Sequence, residues 1–287
     1  MTPLREKMID EMQLRRFSSN TQESYLRSVT ELAKHYNKSP DCIRNEQLKE
    51  YVLFLTNEKN LCWRSINNKT SGIRFLFEKI LNRKDVSLAI PPRRTPRRLP
   101  EILGADELVR LFASVNNIKH KTILMTAYAC GLRVSEVINL KVGDIDSSRM
   151  MVRVEHGKGD KDRYSILSPR LLAELRSYWL VYKPSLWLFE NKITKGRLTR
   201  STPQLVFKAA VKKAKIDKKV TFHSLRHGFA TNLLEAGVDI RTIQILMGHS
   251  SISTTSRYLH IARKDLGILK SPLDLLYVPN PKSLTKS

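Results

Sequence analysis

Ten residues decide most about how this chain can fold. They read Pro91-Pro92-Arg93-Arg94-Thr95-Pro96-Arg97-Arg98-Leu99-Pro100. Proline fixes φ and has no amide hydrogen to give, so neither a helix nor a central strand can run through them. The chain must fold as two pieces joined by an extended connector. The expected division is 1–90, a linker at 91–100, and 101–287.

Before the break the apolar spacing is helical. Ser19 or Asn20 can cap a helix whose one face carries Tyr25, Leu26, Val29, Leu32 and Ala33. Leu48, Tyr51, Val52 and Leu55 repeat the pattern, as do Ile73, Phe75, Leu76, Ile80 and Leu81. This predicts a small domain of four or five helices. After the break, 105–113 and 121–142 are again helical, with Gly131 marking a turn or a close approach. The period then switches to two at Val152 and Val154, and a basic tip, Gly157-Lys158-Gly159-Asp160-Lys161, leads into Tyr164 to Leu167. That is a β-hairpin. Helical signals return at 169–181, 203–214, 223–236, 239–247 and 253–263. The expected fold class is mainly α with a small antiparallel β-sheet.

The formal net charge is +24. Such an excess costs self-repulsion, and its usual partner is a polyanion, because binding nucleic acid releases condensed counterions. Two stretches concentrate it. One is the linker, where Arg93, Arg94, Arg97 and Arg98 can follow a phosphate backbone on an extended chain. The other runs from Lys192 through Lys195, Arg197, Arg200, Lys208, Lys212, Lys213, Lys215 and Lys218 to Lys219. A solvated face would have the same composition. Three cysteines, Cys42, Cys62 and Cys130, form no CxxC pair and fit no disulfide framework, so free buried thiols are expected. The N-terminus has no signal-like apolar core. The apolar run at 122–140 is broken by Arg133 and Glu136, so no membrane partner is expected. These features point to a cytoplasmic chain, nucleoid-associated when on DNA.

Four places carry chemistry: Gly131-Leu132-Arg133 with Val134-Ser135-Glu136 behind it; Lys158 on the hairpin; His223-Ser224-Leu225-Arg226-His227; and Gly248-His249 with Tyr258 nine positions later. Singly, each has a plain reading: a surface ion pair, an exposed hairpin tip, a core tyrosine with its hydroxyl bonded. His223 and His227 sit at i, i+4, the spacing of a zinc protease helix. Ser224 stands where the catalytic glutamate belongs and no third ligand is evident, so a metal site is not expected.

As an ordered series, two arginines, a lysine, two histidines and a tyrosine make a set for phosphoryl transfer. Here the chain resembles the tyrosine recombinases, the phage integrase family, above all its Xer branch. Thr21, Tyr25 and the stretch from Ser65 to Phe77 look like that family's core-binding domain. The resemblance implies a two-domain DNA clamp: a helical SAM-like core-binding domain and a tyrosine recombinase catalytic domain. It implies Arg133, Lys158, His223, Arg226, His249 and the nucleophile Tyr258 as catalytic residues, with no cofactor and no metal.

The chemistry is consistent with those roles. Arg133 and Arg226 can grip the non-bridging oxygens with paired donors while charge grows on them. His223 and His249 can donate further bonds, and His223 is a candidate to take the tyrosine proton. Lys158 can protonate the leaving 5′ oxygen. A phenol of reference pKa about 10 needs help to attack. The family's 3′-phosphotyrosine link keeps the bond energy for religation. Gly248 can end one helix and Ser253 cap the next, which carries Tyr258.

The partner implied is double-stranded DNA, bound as a homotetramer on two DNA sites, with the apolar segment 266–278 docked on a neighbouring protomer or on its own domain. Accessory proteins are possible partners. Arg93, Arg94, Arg97, Arg98, Lys161, Arg163, Lys208 and Lys212 are the expected DNA contacts. The function expected is site-specific recombination for a mobile element. A helix-turn-helix regulator at 239–263 would explain the charge but not Arg133, Lys158 and Arg226 in series. A type IB topoisomerase would share the chemistry without exchanging partners. The stretch from Tyr164 to Phe222 is too short for an integron integrase insertion.

Overall fold

The computed structural model describes residues 2–83, 85–86, 101–155, 162–249 and 251–260. The chain divides into two compact units, Met1–Arg98 and Leu99–Ser287.

The described residues of the first unit hold helices and the turns between them: α1 (Pro3–Leu14), α2 (Ser19–Tyr36), a 3-10 turn at Pro40–Cys42, α3 (Asn45–Asn57) and α4 (Trp63–Phe75), which runs on as a π-helical turn over Leu76–Ile80. The cap of α2 is Ser18, one residue before the expected pair: its hydroxyl accepts from the Thr21 amide. Apolar faces of these helices meet on Met8, Met12, Leu32, Leu48, Ile66, Ile73 and Phe77, all fully buried. Phe17, Tyr25 and Phe75 pack as an aromatic trio at the side of this core.

The second unit opens with α5 (Ala105–Ala113), α6 (Ile118–Ala129) and the short α7 (Val134–Asn139). The helix expected over 121–142 is thus two helices. They are separated by a turn at Cys130–Gly131, where Gly131 has φ +60°. Three antiparallel strands follow in the order β1 (Ile145–Asp146), β2 (Met151–Val154), β3 (Arg163–Ile166). Helices α8 (Pro169–Tyr182), α9 (Ser201–Lys213), α10 (His223–Glu235), α11 (Ile240–Met247) and α12 (Ile252–Thr255) complete the unit, with a 3-10 turn at Ser256–His260. The cap of α12 is Ser251 rather than Ser253, and Tyr258 lies on the 3-10 turn rather than on an α-helix. Leu111, Ile123, Leu124, Val137, Val152, Phe189 and Leu225 lie in the main core. A second cluster of Phe229, Ala230, Ile243, Met247 and Tyr258 sits where α10, α11 and the 3-10 turn meet.

The sheet inverts what the hydropathy of β3 suggests. Register pairs Val152 with Ser165 and Val154 with Arg163. Residues directly opposite one another share a face, so Ser165 and Arg163 go inside with the valines. Tyr164 and Ile166 stand out in solvent, 51% and 41% exposed. The buried polar side chains have partners: the Ser165 hydroxyl donates to the Cys130 carbonyl at 2.8 Å, and Arg163 reaches Glu136.

Of the three cysteines only Cys130 is buried; Cys42 and Cys62 are exposed, against the expectation of buried thiols. Burial pushes the Cys130 thiol up to about 12. Among the described residues no helix is long and apolar enough to cross a membrane.

Candidate active site

Gly131 makes the turn that delivers Arg133. A Cβ at this position would sit 2.4 Å from the Phe229 ring, on top of the strain of its positive φ. The chain then enters α7 with Arg133 at the N-cap and Glu136 at N3. The Glu136 carboxylate accepts from the Arg133 amide at 2.7 Å and from its guanidinium at 2.6 Å.

Glu136 is the hub of the site. Arg163 donates to both of its oxygens, each at 2.9 Å, a bidentate pair. Arg226 lies 3.6 Å away. Burial alone would raise the Glu136 carboxyl. The hydrogen bonds and charge of Arg163, with the charge of Arg226, outweigh it and hold the group at about 2. Three guanidiniums thus surround one dry carboxylate.

Arg226 is the deepest of the three, 1% exposed. One of its terminal nitrogens donates to the Gly131 carbonyl at 2.6 Å and the other to the Met247 carbonyl. Burial and the neighbouring Arg133 press its pKa downward, while Glu136 pulls the other way. Arg133 donates at 3.5 Å to the Gly248 carbonyl. Gly248 closes α11 at φ +60°, and a Cβ there would meet the Arg163 side chain at 2.8 Å. Arg163 also donates from Nε to the Leu246 carbonyl at 2.8 Å. Segments that lie about a hundred residues apart in sequence are thereby tied at one point.

His249 follows the turn. Its Nδ1 is 2.8 Å from the Thr255 hydroxyl, and its carbonyl accepts from the Gln244 side chain. His223 is exposed at the start of α10, with its ring 4.6 Å from that of His227. Tyr258 is 3% exposed, its ring packed in the second apolar cluster. Its hydroxyl lies 3.0 Å from Nδ1 of His227. The structure therefore gathers Arg133, Arg226, His249 and Tyr258 around the ends of α10 and α11, with His223 beside them. Lys158 lies outside the described residues.

A family model described as the N-terminal SAM-like domain of phage integrases matches residues 4–85, and the phage integrase family model matches 101–265. The chain is a member of the phage integrase family of tyrosine recombinases.

Among the relatives of this recombinase, the provisionally named integrase/recombinase y4qK of Sinorhizobium fredii is 46% identical over 98% of this chain and 92% of its own. A tyrosine recombinase of Thermosipho africanus is 32% identical, covering 88% and 92%. The crystal structure of XerA recombinase superposes at TM-score 0.53 with 32% identity, covering 96% of each chain. The fold class expected from the sequence, mainly α with a small antiparallel sheet and a SAM-like N-terminal domain, is that of the recombinase.

Of the expected DNA contacts, Arg163 is corrected. It is 8% exposed and spends its donors on Glu136 and Leu246, so it is an internal strut of the recombinase. Lys208 and Lys212 are exposed on α9. Arg93, Arg94, Arg97, Arg98, Lys161 and the segment 266–278 lie outside the described residues. Beside α7 a polar hollow of about 500 Å³ is lined by Ser135, Asn139, Arg197, Thr199 and Arg200. Arg197 rests over the Trp187 ring and donates to Asn139.

Two residues of this arrangement escape a reading of the sequence. Glu136 reads there as an interruption of an apolar run. Its signal is the capping-box spacing Arg133-x-x-Glu136. His227 reads as half of a zinc pair, and its contact with Tyr258 comes from the packing of the 3-10 turn.

Proposed function

We propose that this recombinase cuts and rejoins DNA strands at specific sites and exchanges them between two duplexes. Tyr258 is the nucleophile, forming a 3′-phosphotyrosine. The observation that supports this most is the Arg226 guanidinium. It is bonded at once to the turn before Arg133 and to the end of the helix before Gly248-His249, which leaves little freedom in where the two arginines stand. Preorganised positive charge of this kind stabilises a phosphorane-like transition state without reorganising at the moment of reaction.

In the proposed reaction the Tyr258 phenol gives its proton to His223, and Oη bonds to phosphorus as the bond to the 5′ oxygen breaks. Arg133 and Arg226 hold the non-bridging oxygens, His223 and His249 donate to them, and Lys158 protonates the 5′ oxygen. Religation runs the same steps backward, with neither ATP nor metal taking part. Double-stranded DNA as the partner is supported by the net charge of +24 and by the basic hollow at Arg197 and Arg200 beside α7. The linker arginines, Lys161, Lys208 and Lys212 are proposed backbone contacts. The domain roles are proposed likewise: 1–90 embraces DNA, 91–100 crosses it and 101–287 does the chemistry. A homotetramer on two sites, joined through segment 266–278, and service to a mobile element complete the reading.

The test is covalent capture. Wild type and Tyr258→Phe are incubated, without divalent metal, with nicked DNA that flanks the gene. Adducts are resolved on a denaturing gel. An adduct in wild type that is absent from Tyr258→Phe is expected. An adduct in both moves the nucleophile elsewhere, and tight specific binding without any adduct favours a regulator.

A further inference from the structure

Adjacent residues on α10 face two different tasks. Side chains one position apart on a helix diverge by about 100°. Arg226 turns toward Gly131 and Met247, and His227 turns toward Tyr258. Tyr258 is held at both ends. Its ring is packed among Phe229, Ala230, Ile243 and Met247, and its hydroxyl meets His227 Nδ1 at 3.0 Å. A ring clamped by apolar contacts keeps the position of the hydroxyl oxygen. The direction of its proton and lone pairs is set by the hydrogen bond.

We infer that His227 is a positioning residue for the nucleophile, a role that rests on reading Tyr258 as the attacking group. The neutral imidazole presents Nδ1 as acceptor, and the Tyr258 hydroxyl donates to it. One lone pair of the phenol oxygen is thereby aimed away from His227 and left for phosphorus. Because His227 and Arg226 are consecutive on one rigid helix, the spacing between the phosphate grip and the nucleophile is fixed by a single peptide unit. The T-shaped contact of His223 with His227 braces the imidazole from the preceding turn.

The experiment has two arms on the full chain. In the first, ¹⁵N spectra of the DNA-free protein read the His227 tautomer. Nδ1 as a bare acceptor, with the proton on Nε2, is expected, together with a changed Nδ1 shift in Tyr258→Phe. A proton on Nδ1 overturns the inference. In the second, single-turnover adduct formation on nicked DNA is timed for wild type, His227→Ala, His227→Asn and Tyr258→Phe, with DNA affinity and thermal unfolding measured alongside. Losing the orientation of a reacting group costs on the order of 100-fold in rate, so His227→Ala should lose that much in cleavage rate and little in affinity. Asparagine places an acceptor close to where Nδ1 stood and should recover much of the loss. His227→Ala cutting at the wild-type rate, or His227→Asn no better than alanine in a folded protein, overturns the inference and leaves the recombinase reading intact. A wild type that forms no adduct overturns both.

Discussion

The two units of this chain keep their interiors in opposite ways. In the first, the buried polar side chains among the described residues are Ser28 and Thr70, and apart from Gly72 the rest of the interior is aliphatic, aromatic or methionine. Its ion pairs range from half-buried, as with Lys69 and Glu31, to exposed, as with Arg27 and Glu23, whose side chains are 66% and 70% exposed. In the second, Glu136, Arg163 and Arg226 are buried together. Dry charge is an expensive way to fill a core, because apolar residues of the same volume often serve stability as well or better. The contrast teaches that stability does not explain the second arrangement. Under the proposed function it is a site whose positive groups are set in place before a phosphate arrives.

The sharpest way to break this comparison is Glu136→Ala. Three guanidiniums would lose their common counter-charge, and removing one member of a buried ionic group costs about 3–5 kcal/mol. Hydrogen exchange on the intact chain should show the loss over 131–139 and 223–235, with the first unit unchanged. Equal loosening of both units would mean that the charges are not a local device. Acid should act next. The Glu136 carboxyl is held at about 2, below its ordinary 4.5. A depressed carboxyl favours the folded state above its unfolded value and loses that contribution as pH falls toward its folded one. The window is therefore about pH 4.5 down to 2, and the shift corresponds to at most about 3 kcal/mol. Exchange protection around α7 and α10 should fall in that window before protection in the first unit does. The smallest effect belongs to Glu23→Gln on the surface of the first unit, where less than about 0.5 kcal/mol is expected in a urea titration. A loss of several kcal/mol there would erase the distinction drawn between the two units.

The sequence made the skeleton legible because periodicity and punctuation are local. Gly131 and Gly248 announced turns, and both have the positive φ that a turn there requires. Val152 and Val154 announced the strand that they occupy. What stayed hidden is non-local. Arg163 follows a basic hairpin tip and reads as a DNA contact until register places it opposite Val154. Glu136 becomes a hub only when Arg163 and Arg226, 27 and 90 positions away in sequence, arrive beside it. The nearness of His227 to Tyr258 depends on how a 3-10 turn packs against α10, and no spacing rule encodes that.

The bonds of Arg226 also bear on when the protein becomes able to act. One reaches back 95 positions to Gly131 and the other forward 21 to Met247. Contacts of such long sequence separation form late, because a large loop must close first. During synthesis, which proceeds from the N-terminus, the chain has to emerge past Met247 before the inner arginine can be seated. On the proposed mechanism it must also emerge past Tyr258 before anything can attack. A ribosome-bound fragment that already holds the complete first unit is therefore chemically silent. On that mechanism, breakage of DNA becomes possible only once the means of resealing it has been assembled in the same act of folding.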